Sequence, residues 1–213
     1  MFAIVTGMSK IVIFDFDGTI ADSFELFIAT LQNLLGRPEP LPPQEIQRLR
    51  GLSIKEFLFE LGIKPWQLPG FVIRGRRDVS KHFEDVNIFP VMSDLTDRLT
   101  GEGYELYILS TNSKDVISSF LAKHELENNF SAIYADIGIS GKAKVLKKLM
   151  KEHGVNRDDA VYVGDEVRDI EAAHKAGIRC ISVSWGYSSE ESLIAHKPDF
   201  IASSAPEIEK YVH

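Results

Sequence analysis

The chain has 213 residues, 44% of them hydrophobic and 26% charged, which is the make-up of an ordinary soluble protein long enough for one good core and a second lobe. Its formal net charge of −7 argues against a nucleic-acid groove or an anionic membrane as the main partner, since both demand a basic excess. The single cysteine, Cys180, lies in an apolar run; it excludes a disulfide framework and a thiolate metal site, reads as a buried strand thiol, and fits a reducing cytoplasm.

Residues 1–7 are apolar but lack a basic leader and are too short for a secretion signal. Met8 offers a second start, so the first seven residues read as an extension without catalytic purpose. An apolar strand over residues 10–16 follows, and it runs straight into Asp15-Phe16-Asp17-Gly18-Thr19. Two carboxylates thus stand at a strand's carboxyl end, where open α/β sheets bind their ligands. One can attack phosphorus while the other gives a proton to the leaving oxygen and later takes one from water, provided their surroundings hold one ionised and the other protonated. A solvated strand end turned by Gly18 is the plainer alternative.

About ninety residues separate this strand from the next, far more than one crossover helix needs. Residues 24–88 fill the gap with helical patterns at 24–35, 42–50, 54–61 and 71–83, punctuated by prolines, and read as a helical lobe hinged to the sheet at both ends. Residues 1–23 and 89–213 form the sheet-bearing domain. There strands are expected at 105–110, 132–135, 160–163, 180–183 and, weakly, 200–201, with helices at 91–99, 114–123, 143–152, 167–176 and 190–196. Strand alternating with helix predicts a parallel sheet joined by right-handed crossovers, an α/β fold.

Three further segments carry polar chemistry to strand ends. The second strand ends Leu109-Ser110-Thr111-Asn112-Ser113, placing hydroxyls and free N–H groups at a helix start, an anion site or a plain N-cap. After the third strand Gly141-Lys142-Ala143-Lys144 opens a helix. Lys142 precedes Val145 and Leu146 by three and four residues, on the inward side. An ammonium there would neutralise a transferring phosphoryl group, although a lone lysine more often faces solvent. The fourth strand ends Gly164-Asp165-Glu166-Val167-Arg168-Asp169, whose carboxylates suit Mg²⁺ or simply complement a helix dipole. The six histidines are scattered, with no pair at metal-ligand spacing, which argues against a zinc site.

In this order, and each after a strand, these four segments resemble the four motifs of the haloacid dehalogenase superfamily from Ile11 to about Trp185. The resemblance implies a Rossmann-like parallel sheet core with an inserted all-helical cap domain similar to that of phosphoglycolate phosphatases and sugar-phosphate mutases. It implies that Asp15 is the nucleophile, Asp17 the general acid and base, Lys142 the charge clamp, and Gly18, Thr111 and Asn112 the phosphate site. Mg²⁺ would be held by the Asp15 carboxylate, the Asp17 backbone carbonyl and Asp165, with Glu166 and Asp169 behind them and their division of labour open. Arg50-Gly51-Leu52-Ser53 is similar to the cap's specificity loop and makes Arg50 a substrate contact; Arg74, Arg76 and Arg77 read as surface charge.

The expected function is a cytoplasmic, Mg²⁺-dependent phosphatase acting on a small phosphate monoester, phosphoglycolate by cap type. A phosphomutase shares every core residue and is the alternative; a non-catalytic phospho-ligand module has little use for Asp15, Asp17, Lys142 and Asp165 together.

Overall fold

Four consecutive apolar residues form strand β1 (Ile11–Phe14), and all are buried on both faces, as the centre of a parallel sheet requires. In the computed structural model, which describes residues 10–37, 39–52, 54–138 and 141–212, five more strands follow: β2 (Glu105–Leu109), β3 (Phe130–Tyr134), β4 (Ala160–Gly164), β5 (Arg179–Val183) and β6 (Phe200–Ala202). The expected extension over residues 1–7, the second start at Met8, and Ser53 of the cap loop lie outside the described residues. Each expected strand is present, and Cys180 is buried in β5.

The strands pair in the order β3-β2-β1-β4-β5-β6, every pair parallel. The chain winds outward from β1 to β3, then returns to place β4 beside β1. That return makes a switch point between β1 and β4, and the crevice at its carboxyl edge is where such sheets take ligands.

The helices, in chain order, are α1 (Phe24–Leu35), α2 (Pro43–Leu49), α3 (Ile54–Glu60), α4 (Leu68–His82), α5 (Met92–Gly101), α6 (Lys114–Lys123), α7 (Lys142–His153), α8 (Val167–Ala176), α9 (Glu190–Ala195) and α10 (Ala205–Val212). Alternation along β1 divides the core. Val12 and Phe14 pack with Leu95, Ile117, Phe120 and Ile208 of α5, α6 and α10. Ile11 and Ile13 pack with Leu146, Leu149, Ile170 and Leu193 of α7, α8 and α9. Helix α10 was not expected from sequence; it buries only Ala205, Ile208 and Val212, a one-sided stripe too short to stand out from loop composition.

Helices α1 to α4 enclose a third apolar cluster that includes Ile28, Leu31, Leu49, Phe57, Leu58 and Phe71. The two passages between these helices and the sheet lie side by side: the Asp22 N–H donates to the Asn87 carbonyl at 2.9 Å, and the Phe89 N–H to the Ile20 carbonyl at 3.0 Å. Helix α4 starts three residues before the expected 71. Pro69 occupies its first turn, where the missing N–H costs nothing and the fixed φ suits the helix.

Candidate active site

The loop leaving β1 builds the site. The Asp15 N–H donates to the Val163 carbonyl at 2.8 Å, which fixes β1's end against β4, and Asp15 Oδ1 accepts the Phe16 N–H at 2.7 Å. Gly18 has φ +75°, and a Cβ there would collide with the Asp165 carboxylate and the Tyr187 ring. Both the left-handed backbone and the close approach therefore require glycine. The Thr19 hydroxyl donates to Asp165 Oδ1 at 3.0 Å.

Lys142 opens α7 with its side chain 2% exposed. The inward orientation read from its spacing to Val145 and Leu146 is the one the structure has. Nζ donates to Asp15 Oδ2 at 2.5 Å and to Asp169 Oδ1 at 2.7 Å. Asp169 also accepts the Tyr162 hydroxyl at 3.2 Å and the Glu166 N–H at 3.0 Å. Its oxygens are thus committed to protein donors, and it holds the ammonium against Asp15.

Burial and neighbouring charge sort these groups. Burial pushes Asp15 up to about 7 even though Lys142 pulls it down. Burial works against the Lys142 charge, yet Asp15 and Asp169 outweigh it and hold the ammonium above the usual lysine value. Asp169 goes the other way: the burial penalty is overcome by Lys142 and Arg168, so its carboxyl lies low. Asp165 is raised well above the ordinary range, by burial first and then by Glu166, Asp15 and Asp169. Asp17 is raised by burial, against hydrogen bonds from Ser23 and Asn112. Asp15 and Asp17, two residues apart, are thus both raised but differ in their partners: Asp15 faces an ammonium, and Asp17 accepts hydrogen bonds from neutral donors.

Carboxylate oxygens of Asp15, Asp165 and Asp169 lie within 4.8 Å of one another. Asp165 accepts from Thr19 and from the Tyr187 N–H at 2.7 Å, while the charges that act on it most are other carboxylates. Such a buried acid lacks compensation unless it is protonated or a cation joins it. The hard oxygen set fits a small divalent cation.

Above Asp17 opens a cavity of about 180 Å³. Asp17 accepts the Ser23 hydroxyl at 3.0 Å and Asn112 Nδ2 at 3.2 and 3.3 Å, and Thr111 and Asn112 line the floor. Arg50 does not line this cavity but a smaller one beside it, which shares Phe27, Glu166 and Tyr187. Its guanidinium donates to the carbonyls of Trp185, Gly186 and Tyr187 and lies 4.9 Å from the Phe24 ring centre, which ties α1 and the end of α2 to the loop after β5. Arg76, expected as surface charge, is exposed but lines the cavity from α4.

Sequence reasoning passed over Arg168 and Tyr187, both of which line the cavity. Arg168 is paired with Glu166, and its Nε is buried without a partner. It stands inside the fourth polar segment, so its position alone could have flagged it. Tyr187 bonds Ser23 across 164 residues at 3.0 Å. Its signal was fainter: Trp185-Gly186-Tyr187 follows β5 at the sheet's ligand edge, and a Cβ on Gly186 would collide with Asp165.

A parallel sheet with a switch point, crowned by buried carboxylates and an inward lysine, defines an α/β enzyme that works on an anionic group. The family model for haloacid dehalogenase-like hydrolases matches residues 12–183, and the chain belongs to that family. It is 32% identical over 200 residues to a phosphoglycolate phosphatase of Synechococcus elongatus, spanning 92% of this chain and 94% of the relative. It is 27% identical to a 5′-nucleotidase of Pseudomonas aeruginosa over 88% of each chain. A haloacid dehalogenase-like family hydrolase from Streptococcus pneumoniae shares the fold with a TM-score of 0.77 at 24% identity, covering 97% of this chain and 99% of its own. The chain is thus a hydrolase of the phosphatase type. Among the described residues no helix is long and apolar enough to cross a membrane.

Proposed function

We propose that the protein hydrolyses a small phosphate monoester through a phosphorylated Asp15, with Mg²⁺ bound at Asp15, the Asp17 backbone carbonyl and Asp165. The observation that carries this is the Lys142 ammonium held between Asp15 and Asp169, next to the differently placed Asp17. The bound ion would supply charge compensation for the carboxylates and the phosphoryl oxygens. In the first half-reaction a carboxylate oxygen of Asp15 attacks phosphorus, the bond from phosphorus to the leaving oxygen breaks, and Asp17 gives that oxygen its proton. In the second, water attacks phosphorus, Asp17 takes up a proton, and the acyl phosphate bond breaks, restoring Asp15 and releasing inorganic phosphate. Lys142 offsets charge on Asp15 and on the phosphoryl group throughout, held in place by Asp169. Thr111 and Asn112, with Gly18 and the loop that it turns, bind the phosphoryl oxygens, and Arg168 adds positive charge at the same floor.

Residues 24–88 act as a cap on a core made of 1–23 and 89–213, with the paired passages at 20–22 and 87–89 as the hinge. Closure would exclude water from the acyl phosphate. Cap type and the name of the Synechococcus relative point to phosphoglycolate, whereas that of the Pseudomonas relative points to a larger leaving group. The reading is tested with an aryl phosphate. Hydrolysis should require Mg²⁺, stop on chelation and return on readdition; full turnover after exhaustive chelation would overturn the metal assignment.

A further inference from the structure

We infer that the leaving group carries an apolar, ring-sized body and is not a short carboxylate such as glycolate, an inference that rests on phosphatase chemistry at Asp15. Above the floor the cavity walls are apolar: Phe27, Leu31 and Leu34 enter from α1, Leu58 from α3, and Phe71 and Val79 from α4. Its volume of about 180 Å³, shared at the floor with the phosphoryl group, is of the order of the apolar cavity of about 150 Å³ that takes up a benzene ring. A carboxylate lodged against these walls would give up its water and need a cation in exchange. Of the nearby cations, Arg50 is turned to three carbonyls, and Arg168, paired with Glu166, stands on the floor where the phosphoryl group takes its charge. That leaves Arg76, which lines the cavity but is exposed, so that water screens its charge.

Gly75 supplies a second, independent observation. It lies in the interior of the 15-residue helix α4, where glycine is less stable than alanine. Its φ is not positive, so the backbone does not demand it, and an added Cβ would meet only Leu34, at an ordinary 3.6 Å. Gly75 also lines the cavity. The space that its missing side chain leaves is therefore cavity space, kept open at the expense of helix stability.

The test is kcat/KM of the Mg²⁺-loaded protein for benzyl phosphate, ethyl phosphate and 2-phosphoglycolate, three alkyl esters whose leaving groups differ in apolar surface and charge. One methylene in an apolar pocket changes kcat/KM by about 10-fold or more, so benzyl phosphate should exceed both others by about 100-fold. Gly75→Leu, which fills the cavity while favouring the helix, should cut the benzyl-to-ethyl ratio by about 10-fold or more; Gly75→Ala, the milder filling, should cut it less and guards against misfolding. If 2-phosphoglycolate is turned over as well as benzyl phosphate, or Gly75→Leu leaves the ratio unchanged, the inference is wrong while the phosphatase chemistry stands. If no ester is hydrolysed with Mg²⁺ present, the phosphatase chemistry is wrong and the inference goes with it.

Discussion

Replacing Lys142 with methionine keeps most of the buried stem and removes only the ammonium. Its two partners are 2.5 and 2.7 Å away, and the three side chains are at most 3% exposed, so water cannot take the lysine's place. Asp15, Asp165 and Asp169, within 4.8 Å of one another, would lose the cation that offsets them and would have to hold protons or repel. Removing one partner of a buried ion pair costs about 3 to 5 kcal/mol, and this is the loss expected in urea unfolding of the metal-free protein. With saturating Mg²⁺ the loss should shrink, because the ion offsets part of the same charge. Lys142 also pulls against the burial that raises Asp15. Without it the nucleophile holds its proton to higher pH still, and kcat on an aryl phosphate should fall by about 10² to 10³. A loss under about 1 kcal/mol together with activity within tenfold of wild type would refute the argument that this ammonium compensates the site.

Arg50→Ala should lower kcat/KM about equally for benzyl phosphate and 2-phosphoglycolate, since the guanidinium contacts the 185–187 carbonyls; a loss confined to one ester would show that Arg50 contacts substrate. Magnesium should raise the melting temperature, by roughly 5 to 10 °C at about 100 times its dissociation constant. Asp15 is raised to about 7 and Asp165 well above the ordinary range in the metal-free fold, so from the ordinary carboxylate range upward the folded chain holds protons that the unfolded chain has released. Their contribution to metal-free stability therefore falls as pH rises through that window. Because the metal displaces those protons, the shift should be larger at about pH 8 than at about pH 5.5. An equal or smaller shift at the higher pH would count against these two carboxylates as ligands.

Much of this site was legible because its residues follow strands directly. A strand's end fixes where the next residues go, so Asp15, Asp17, Thr111, Asn112 and Asp165 could be assigned to one sheet edge from apolar runs alone. Lys142 was legible for a different reason: its spacing to Val145 and Leu146 set its helix face. What could not be read is contact between distant elements. Arg50 meets carbonyls some 135 to 137 residues away, and nothing in its neighbours announces that. Tyr187 and the cavity walls from α1, α3 and α4 likewise depend on how two groups of helices and strands meet, which local periodicity does not encode. The early start of β3 has a tertiary cause too: Phe130 packs edge-on against Phe14 at 6.3 Å.

Phosphate carried on Asp15 can be trapped as the acyl phosphate. The Mg²⁺-loaded protein is mixed with excess substrate, quenched during turnover and treated with borohydride, which reduces an acyl phosphate to an alcohol. Homoserine is expected at position 15 in the digested protein, absent without substrate and absent in Asp15→Asn, which should also be inactive. Reduction at another carboxylate, or an Asp15→Asn protein that turns over substrate at the wild-type rate, would contradict a phosphorylated Asp15.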